Sequence, residues 1–223
     1  MKKCDVIIPV YKAPEWVKLC VYALFNNSDE KDLNKVYLIN DCNDEATINC
    51  LRNLEKKYSK ITILQNQKNV GFIKTVNRGL KISEADYVLL LNTDCLVSKN
   101  TIGKLMKHMD TDEKIGLICP ISSNAANLTL DLYSGFNYSM MNELLEKKFN
   151  GKLFDACTVV GNCLMISKNC IQNVGFLDEA YGTGYAEETD YQFKAMEKGF
   201  KAKVAIDTYV FHKSEVSFGT SKE

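Results

Sequence analysis

Three groups of polar residues have the types and neighbours that chemistry needs. The first follows an apolar run: Tyr87 to Leu91 lead straight into Asn92, Thr93 and Asp94. A carboxylate there, with Asn92 two residues before it, can hold a hard cation against a phosphate oxygen. Asp is also a favoured turn residue, so on this segment alone a turn or helix-cap role stays open. The second group is a glycine-bearing loop, Tyr181 to Ala186, that delivers Glu187, Glu188 and Asp190 to a helix start. The helix macrodipole favours acids at that end, which accounts for at least one of the three. The functional alternative is a general base aimed at a substrate hydroxyl, since adjacent acids raise one another's pKa toward neutrality. The third is His212, one of two histidines, which ends a predicted strand. An imidazole entering the crevice of Asp94 could complete a divalent-metal site, although a lone histidine more often has a structural role.

The elements that would position these groups alternate in the first half. Strands are predicted at Cys4–Val10, Lys35–Asn40, Ile61–Gln65 and the run ending at Asp94. Helices fall between them: one from Pro14 with Val17, Cys20, Val21 and Leu24 inward, one over Asp44–Tyr58, and one after Asn69, Val70 and Gly71. Ser98 is expected to cap a further helix, and Ile115–Cys119 to form a strand stopped by Pro120. Near-continuous apolar strands alternating with helices imply an α/β fold with a mostly parallel central sheet flanked by helices. In such a sheet the strand ends at Pro9 to Tyr11, at Asn40 and Asp41, and at Asn92 to Asp94 point the same way, toward one crevice.

From about residue 121 the pattern breaks. Ser122 to Ser139 is an aperiodic excursion, and its Ser122, Ser123 and Asn124 could contact either of two partners. Glu143–Phe149 reads as a helix. Cys157–Ser167 reads as a strand with Gly161 and Asn162 inside it, where a glycine marks a bulge or a close ligand. Thr189–Lys198 is a helix closed by Gly199, and Lys203–Ile206 and Tyr209–His212 are two short strands. One compact domain is expected, with residues 1–120 as one half and 121–223 as the other.

Lys and Arg together number 28, as do Asp and Glu, so the net charge is zero and nucleic acid is a poor partner. Nine cysteines, an odd number with no Cys-x-x-Cys spacing, fit a reducing cytoplasm better than a disulfide scaffold. No signal peptide and no transmembrane stretch is visible, so any membrane association would be peripheral, at the inner face. No Gly-x-Gly-x-x-Gly and no P-loop pattern occurs.

Together these motifs resemble the family 2 glycosyltransferases of the glycosyltransferase A fold, in particular the bacterial rhamnosyltransferase-like members, over Val6 to Gly219. The resemblance rests on Pro9 to Tyr11, Asn40-Asp41, Asn69 to Gly79, Asp86 to Asp94, Gly175 to Asp190, and His212 with Ser217 to Gly219, in that order. It implies that Pro9, Tyr11 and Asp41 hold the base and ribose of a nucleotide sugar. Asn69, Gly71, Lys74 (with Lys68 as rival), Asn92 and Thr93 would complete the donor side. Asn92 and Asp94 stand at the family's Asp-x-Asp position, so metal ligation by Mn²⁺ or Mg²⁺ rests on Asp94, with His212 as a further diphosphate or metal contact. Glu188 maps onto the catalytic base, Glu187 is its rival, and Asp190 supports the helix start. Gly161, Asn162, Gly184 and Tyr185 fall on the acceptor or sugar side. The implied reaction is inverting transfer from a UDP- or dTDP-sugar to a glycan or lipid-linked acceptor, within polysaccharide biosynthesis. A sugar-nucleotide pyrophosphorylase is the rival enzyme, but Tyr11 to Pro14 lacks the glycine-rich loop it needs. A non-catalytic nucleotide-sugar binding module would not require the base.

Overall fold

A computed structural model describes residues 1–156, 158–182 and 186–214. Strands β1 (Cys4–Val10), β2 (Leu33–Asn40), β3 (Ile61–Gln65) and β4 (Tyr87–Leu91) alternate with helices α1 (Pro14–Asn27), α2 (Glu45–Lys57) and α3 (Phe72–Ile82). They lie in the order β3-β2-β1-β4, all parallel. The central strands β1 and β4 and the later part of β2 are apolar at most positions because both faces are covered. Val6, Ile8, Leu38 and Leu89 pack toward α1 and α2, whereas Ile7, Ile39, Val88 and Leu90 pack toward α3. Alternation by two therefore serves two cores, and no polar face remains.

The later elements are β5 (Cys95–Val97), α4 (Thr101–Met109), β6 (Ile115–Ser122), α5 (Tyr138–Phe149), β7 (Leu153–Asp155), β8 (Cys163–Ser167), α6 (Lys168–Val174), α7 (Glu187–Glu197) and β9 (Lys201–His212). Beyond β4 the sheet continues as β8-β6-β9-β5, with β7 also on β9. Here β6 and β9 are parallel, while β8 runs antiparallel to both of its neighbours. The sheet is thus continuous from the first half of the chain to the second, and β5 crosses from one to the other.

Several expectations are corrected. β6 does not stop at Pro120 but runs to Ser122, because the register shifts at Pro120 and a bulge spares the missing N–H. β8 starts only at Cys163, so Gly161 and Asn162 form the turn before it rather than its interior. Ser98 does not cap α4: its hydroxyl donates to the Tyr138 carbonyl, and Asn100 stands at the cap position. α5 begins at Tyr138, capped by the Asn137 side chain, which accepts from the Met140 N–H at 3.0 Å. The two predicted final strands are one, interrupted where Pro120 pairs with Ala205 but Ile121 with Tyr209. α7 begins two residues earlier than expected, at Glu187, so the acids occupy its first turn.

The bulge in β9 is held by a buried polar knot. Asp207 is 2% exposed and receives His108 Nε2 at 2.9 and 3.0 Å and the Gly151 N–H at 2.9 Å. Burial pushes the Asp207 carboxyl up, but these donors outweigh it and hold the group below its ordinary range. That contribution is present above the ordinary carboxylate range and lost as pH falls through the lowered value. His108→Ala strands the carboxylate, and urea unfolding should show a loss of about 2–4 kcal/mol near neutral pH. No helix among the described residues is long and apolar enough to cross a membrane.

Candidate active site

The strand ends converge as parallel topology requires. Val10 pairs with Asn40, Asn40 with Gln65, and Ile7 with Leu90, so Tyr11, Asp41, Asn66 and Asn92 all leave one edge of the sheet. Asp41 is buried and organises the loop after β3. One of its oxygens accepts from Asn66 Nδ2 at 2.8 Å and the Val70 N–H at 2.9 Å, the other from the Gly71 N–H at 2.8 Å. The Asn69 side chain accepts from the same Gly71 N–H at 3.0 Å. Gly71 holds φ +86° at the start of α3, a conformation that favours glycine. Lys74, in the first turn of α3, and Lys68, in the loop, are exposed, and neither forms an ion pair with a described residue. Pro9 and Tyr11 are half-buried at the end of β1.

Asp94 and His212 are brought together by β5. This three-residue strand pairs antiparallel with the end of β9, with Cys95 opposite His212. The Lys213 N–H donates to the Asp94 carbonyl at 3.0 Å, and Asp94 Oδ1 lies 3.5 Å from His212 Nε2. Burial works against a charge on His212, yet the neighbouring Asp94 carboxylate prevails, with help from the Asn124 carbonyl, and raises its pKa above the ordinary value. Cys95 Sγ lies in the same cluster, within 4.8 Å. Its thiol donates to the Asn162 carbonyl at 3.3 Å, and burial pushes its pKa well up, which disfavours the thiolate that a cation would need. One carboxylate oxygen and one imidazole nitrogen remain. That donor set suits Mn²⁺ or Mg²⁺, with positions left for phosphate oxygens and water. Thr93 is buried beside them and Asn92 is half-buried.

The acids of α7 differ in surroundings. Glu187 is 6% exposed, and its Oε2 has no hydrogen-bond partner. Burial first, and then the charge of Glu188, push its carboxyl up to about 7. Glu188 is half-buried. Asp190 pairs with Lys194 at 2.7 Å, and Lys194 also reaches Asp178 at 3.0 Å, so Asp190 braces the helix. A carboxyl that protonates more readily when folded loses stability as pH rises from its unfolded value, near 4.5, through about 7. Glu187→Gln should therefore raise stability at pH 8 by about 1–2 kcal/mol and flatten the fall between about pH 5 and pH 7, read by urea unfolding.

The turn before β8 joins the two carboxylate centres. The Asn162 carbonyl accepts from the Asn92 N–H at 2.9 Å as well as from Cys95, and the Asn162 amide donates to Ser122 Oγ at 3.0 Å. A Cβ placed on Gly161 would stand 3.7 Å from the Cβ and Cγ of Glu188. Asp94 and Glu188 thus lie on the two sides of one two-residue turn. Gly184 and Tyr185, like Ser217 to Gly219, lie outside the described residues. A polar cavity of about 530 Å³ lined by Asn27, Ser28, Asp32 and Asn100 lies at the other end of α1 from Tyr11 and touches none of these groups.

A family profile described as "Glycosyl transferase family 2" matches residues 5–172. The chain belongs to glycosyl transferase family 2. An uncharacterized glycosyltransferase of Haemophilus influenzae is 25% identical over 118 residues, which is 52% of this chain and 36% of that protein. TarS of Staphylococcus aureus, a poly(ribitol-phosphate) beta-N-acetylglucosaminyltransferase, is 25% identical over 111 residues, 49% of this chain and 19% of its own. The crystal structure of S. aureus TarS 1-349 superposes with a TM-score of 0.70 at 17% identity, covering 97% of this chain and 62% of that one. The crystal structure of GalNAc-T7 with UDP, GalNAc and Mn²⁺ superposes with a TM-score of 0.77 at 15% identity, covering 95% of this chain and 43% of that one. These likenesses establish the glycosyltransferase fold. The chain spans about a third of the length of the Haemophilus relative.

Family membership leaves several placed residues without a prior role. Asn77 is buried in α3 and clamps Leu177, donating to its carbonyl at 2.8 Å and accepting from its N–H at 2.9 Å. Arg78 donates to the Gln65 carbonyl and the Asn66 side chain, fastening the loop that Asp41 organises. A polar pair inside an amphipathic helix was the available signal, but it named no partner.

Proposed function

We propose that this family 2 domain transfers a sugar, with inversion, from a nucleoside diphosphate sugar to a hydroxyl of a glycan or lipid-linked acceptor. The observation that carries the reading is the pair of carboxylate centres on either side of Gly161 and Asn162. Residues 1–120 form the donor side, from Pro9, Tyr11, Asp41, Asn69, Gly71, Lys74, Asn92 and Thr93. Residues from 121 onward supply the acceptor side and the base. A bound Mn²⁺ or Mg²⁺ would neutralise charge on the departing diphosphate, and Asp94 and His212 would hold it. GalNAc-T7 carries UDP and Mn²⁺ in its crystal structure, which supports that choice of cation and donor.

Glu188 takes the proton from the incoming hydroxyl as its oxygen attacks the sugar carbon and the bond to the diphosphate breaks. Glu188 is preferred to Glu187 because it is the less buried and lies against Gly161, where no Cβ intrudes. Burial and the neighbouring charge push the Glu187 carboxyl up to about 7. The acceptor chemistry and a place at the cytoplasmic membrane face follow from the same reading.

Calorimetric titration with UDP, dTDP and GDP, each with and without Mn²⁺, followed by sugar-transfer assay of the best donor, tests it. Nucleotide binding strengthened by Mn²⁺ and release of a nucleoside diphosphate are expected. Release of pyrophosphate, or binding without any turnover, would sink the proposal.

A further inference from the structure

Resting on the reading of Asp94 and His212 as cation ligands, we propose that Ser123 and Asn124 are positioning residues that lock His212 in the Nδ1–H tautomer. This leaves the Nε2 lone pair facing Asp94. His212 Nδ1 lies 2.9 Å from the Asn124 carbonyl oxygen. A carbonyl only accepts, so the ring hydrogen sits on Nδ1 and Nε2 is free to donate electrons to a metal.

The geometry is held by the same segment. Ser123 Oγ accepts from the His212 N–H at 2.9 Å and donates to the His212 carbonyl at 3.0 Å. Asn124 Nδ2 donates to that carbonyl as well, at 2.8 Å. Ser123 is 4% exposed, and Asn124 sits at φ +48°, a backbone region asparagine tolerates better than most residues. Side chain and main chain of two consecutive residues therefore grip both the backbone and the ring of His212.

The other histidine shows what this latch prevents. His108 Nε2 lies 2.9 and 3.0 Å from the two oxygens of Asp207, a closed pair in which Nε2 carries the hydrogen. At His212 the Nε2–Asp94 separation is 3.5 Å, longer than the roughly 2.7–3.2 Å of an N–H···O bond. Without the Asn124 carbonyl, His212 could take its hydrogen on Nε2 and close onto Asp94 as His108 closes onto Asp207. The cation position would then be filled by a hydrogen bond.

With only two histidines in the chain, the test is a long-range ¹H–¹⁵N spectrum of metal-free protein labelled at histidine. The pH is held high enough for both rings to be neutral. Expected are Nδ1–H for His212 and Nε2–H for His108; Nε2–H at His212 overturns the proposal. Ser123→Ala, which removes both hydroxyl contacts to the His212 backbone, and Asn124→Gly, which keeps the carbonyl but loses the Nδ2 contact and loosens the backbone that aims it, should each give mixed tautomers at His212. They should also weaken Mn²⁺ binding, measured by electron paramagnetic resonance with UDP, dTDP or GDP present, about 10- to 100-fold. If both variants fold and keep the wild-type tautomer and affinity, the positioning role is wrong; should either fail to fold, the wild-type spectrum still decides. Failure of Mn²⁺ to bind a wild-type protein that shows Nδ1–H would refute the cation reading while upholding the tautomer lock.

Discussion

Glu188→Gln is expected to lower sugar transfer by about 10²- to 10⁴-fold while leaving nucleotide and Mn²⁺ binding unchanged. The amide has the shape of the carboxylate but no affinity for a proton at neutral pH. Glu188 lies half-buried beside Gly161, where an amide of the same shape fits. The loss should appear in the transfer rate and not in donor affinity, because the general base acts only as the hydroxyl attacks. Glu187→Gln gives the contrast. Its side chain is 6% exposed and titrates near 7, so the variant should keep most of the rate and lose an ionisation near pH 7 from the pH–rate profile. A Glu188→Gln enzyme within tenfold of wild type, beside an inactive Glu187→Gln enzyme, would exchange the two roles.

Much of the scaffold behind these residues was legible because burial on both faces leaves an uninterrupted apolar word. β1 and β3 end where expected, at Val10 and Gln65, since each runs between polar or glycine-bearing segments. The helical stripes of α1 and α3 were read from spacing for the same reason, and Val17, Cys20, Val21 and Leu24 are all buried. Elements of three residues carry no period, so nothing in the sequence marks β5 or β7 as a strand. Pro120 was read as a stop because the local rule is sound; a register shift that only the neighbouring strand can supply overrides it.

The site shows the same division. The convergence of Tyr11, Asp41 and Asn92 follows from parallel order, so it could be argued before any coordinates. The meeting of Asp94 with His212 could not, because it depends on β5 pairing with β9. Nor did Ser123 and Asn124 declare themselves: small polar residues in an aperiodic stretch look alike whether they bind a substrate or brace a histidine. Asp41 carries a broader point. A carboxylate at a strand end was expected to face a ligand, yet three loop donors already converge on it. It orders the loop from Asn66 to Gly71 whatever else it touches.

Asp94→Ala should reduce transfer by about two orders of magnitude or more and weaken Mn²⁺ binding, with little change in the fold. The fold tolerates it because the backbone link from Lys213 to the residue-94 carbonyl needs no side chain, and β5 remains paired with β9. His212 reports the loss directly. In the wild-type protein without metal, Asp94 overcomes burial and raises the imidazole pKa. Remove the carboxylate and burial is opposed only by the Asn124 carbonyl, so the His212 pKa should fall from its wild-type value, measurable by NMR titration. A raised histidine pKa stabilises the folded state at low pH, and that help is lost as pH rises through the folded value. Metal-free wild type should therefore gain stability over Asp94→Ala below the ordinary histidine value, about 6.5, and lose the advantage as pH rises through the raised folded value. A cation competes with the proton on Nε2, so Mn²⁺ affinity of the wild type should rise with pH over the same window. An Asp94→Ala protein that folds, transfers sugar at the wild-type rate and binds Mn²⁺ unchanged would remove Asp94 from the site, and His212 with it.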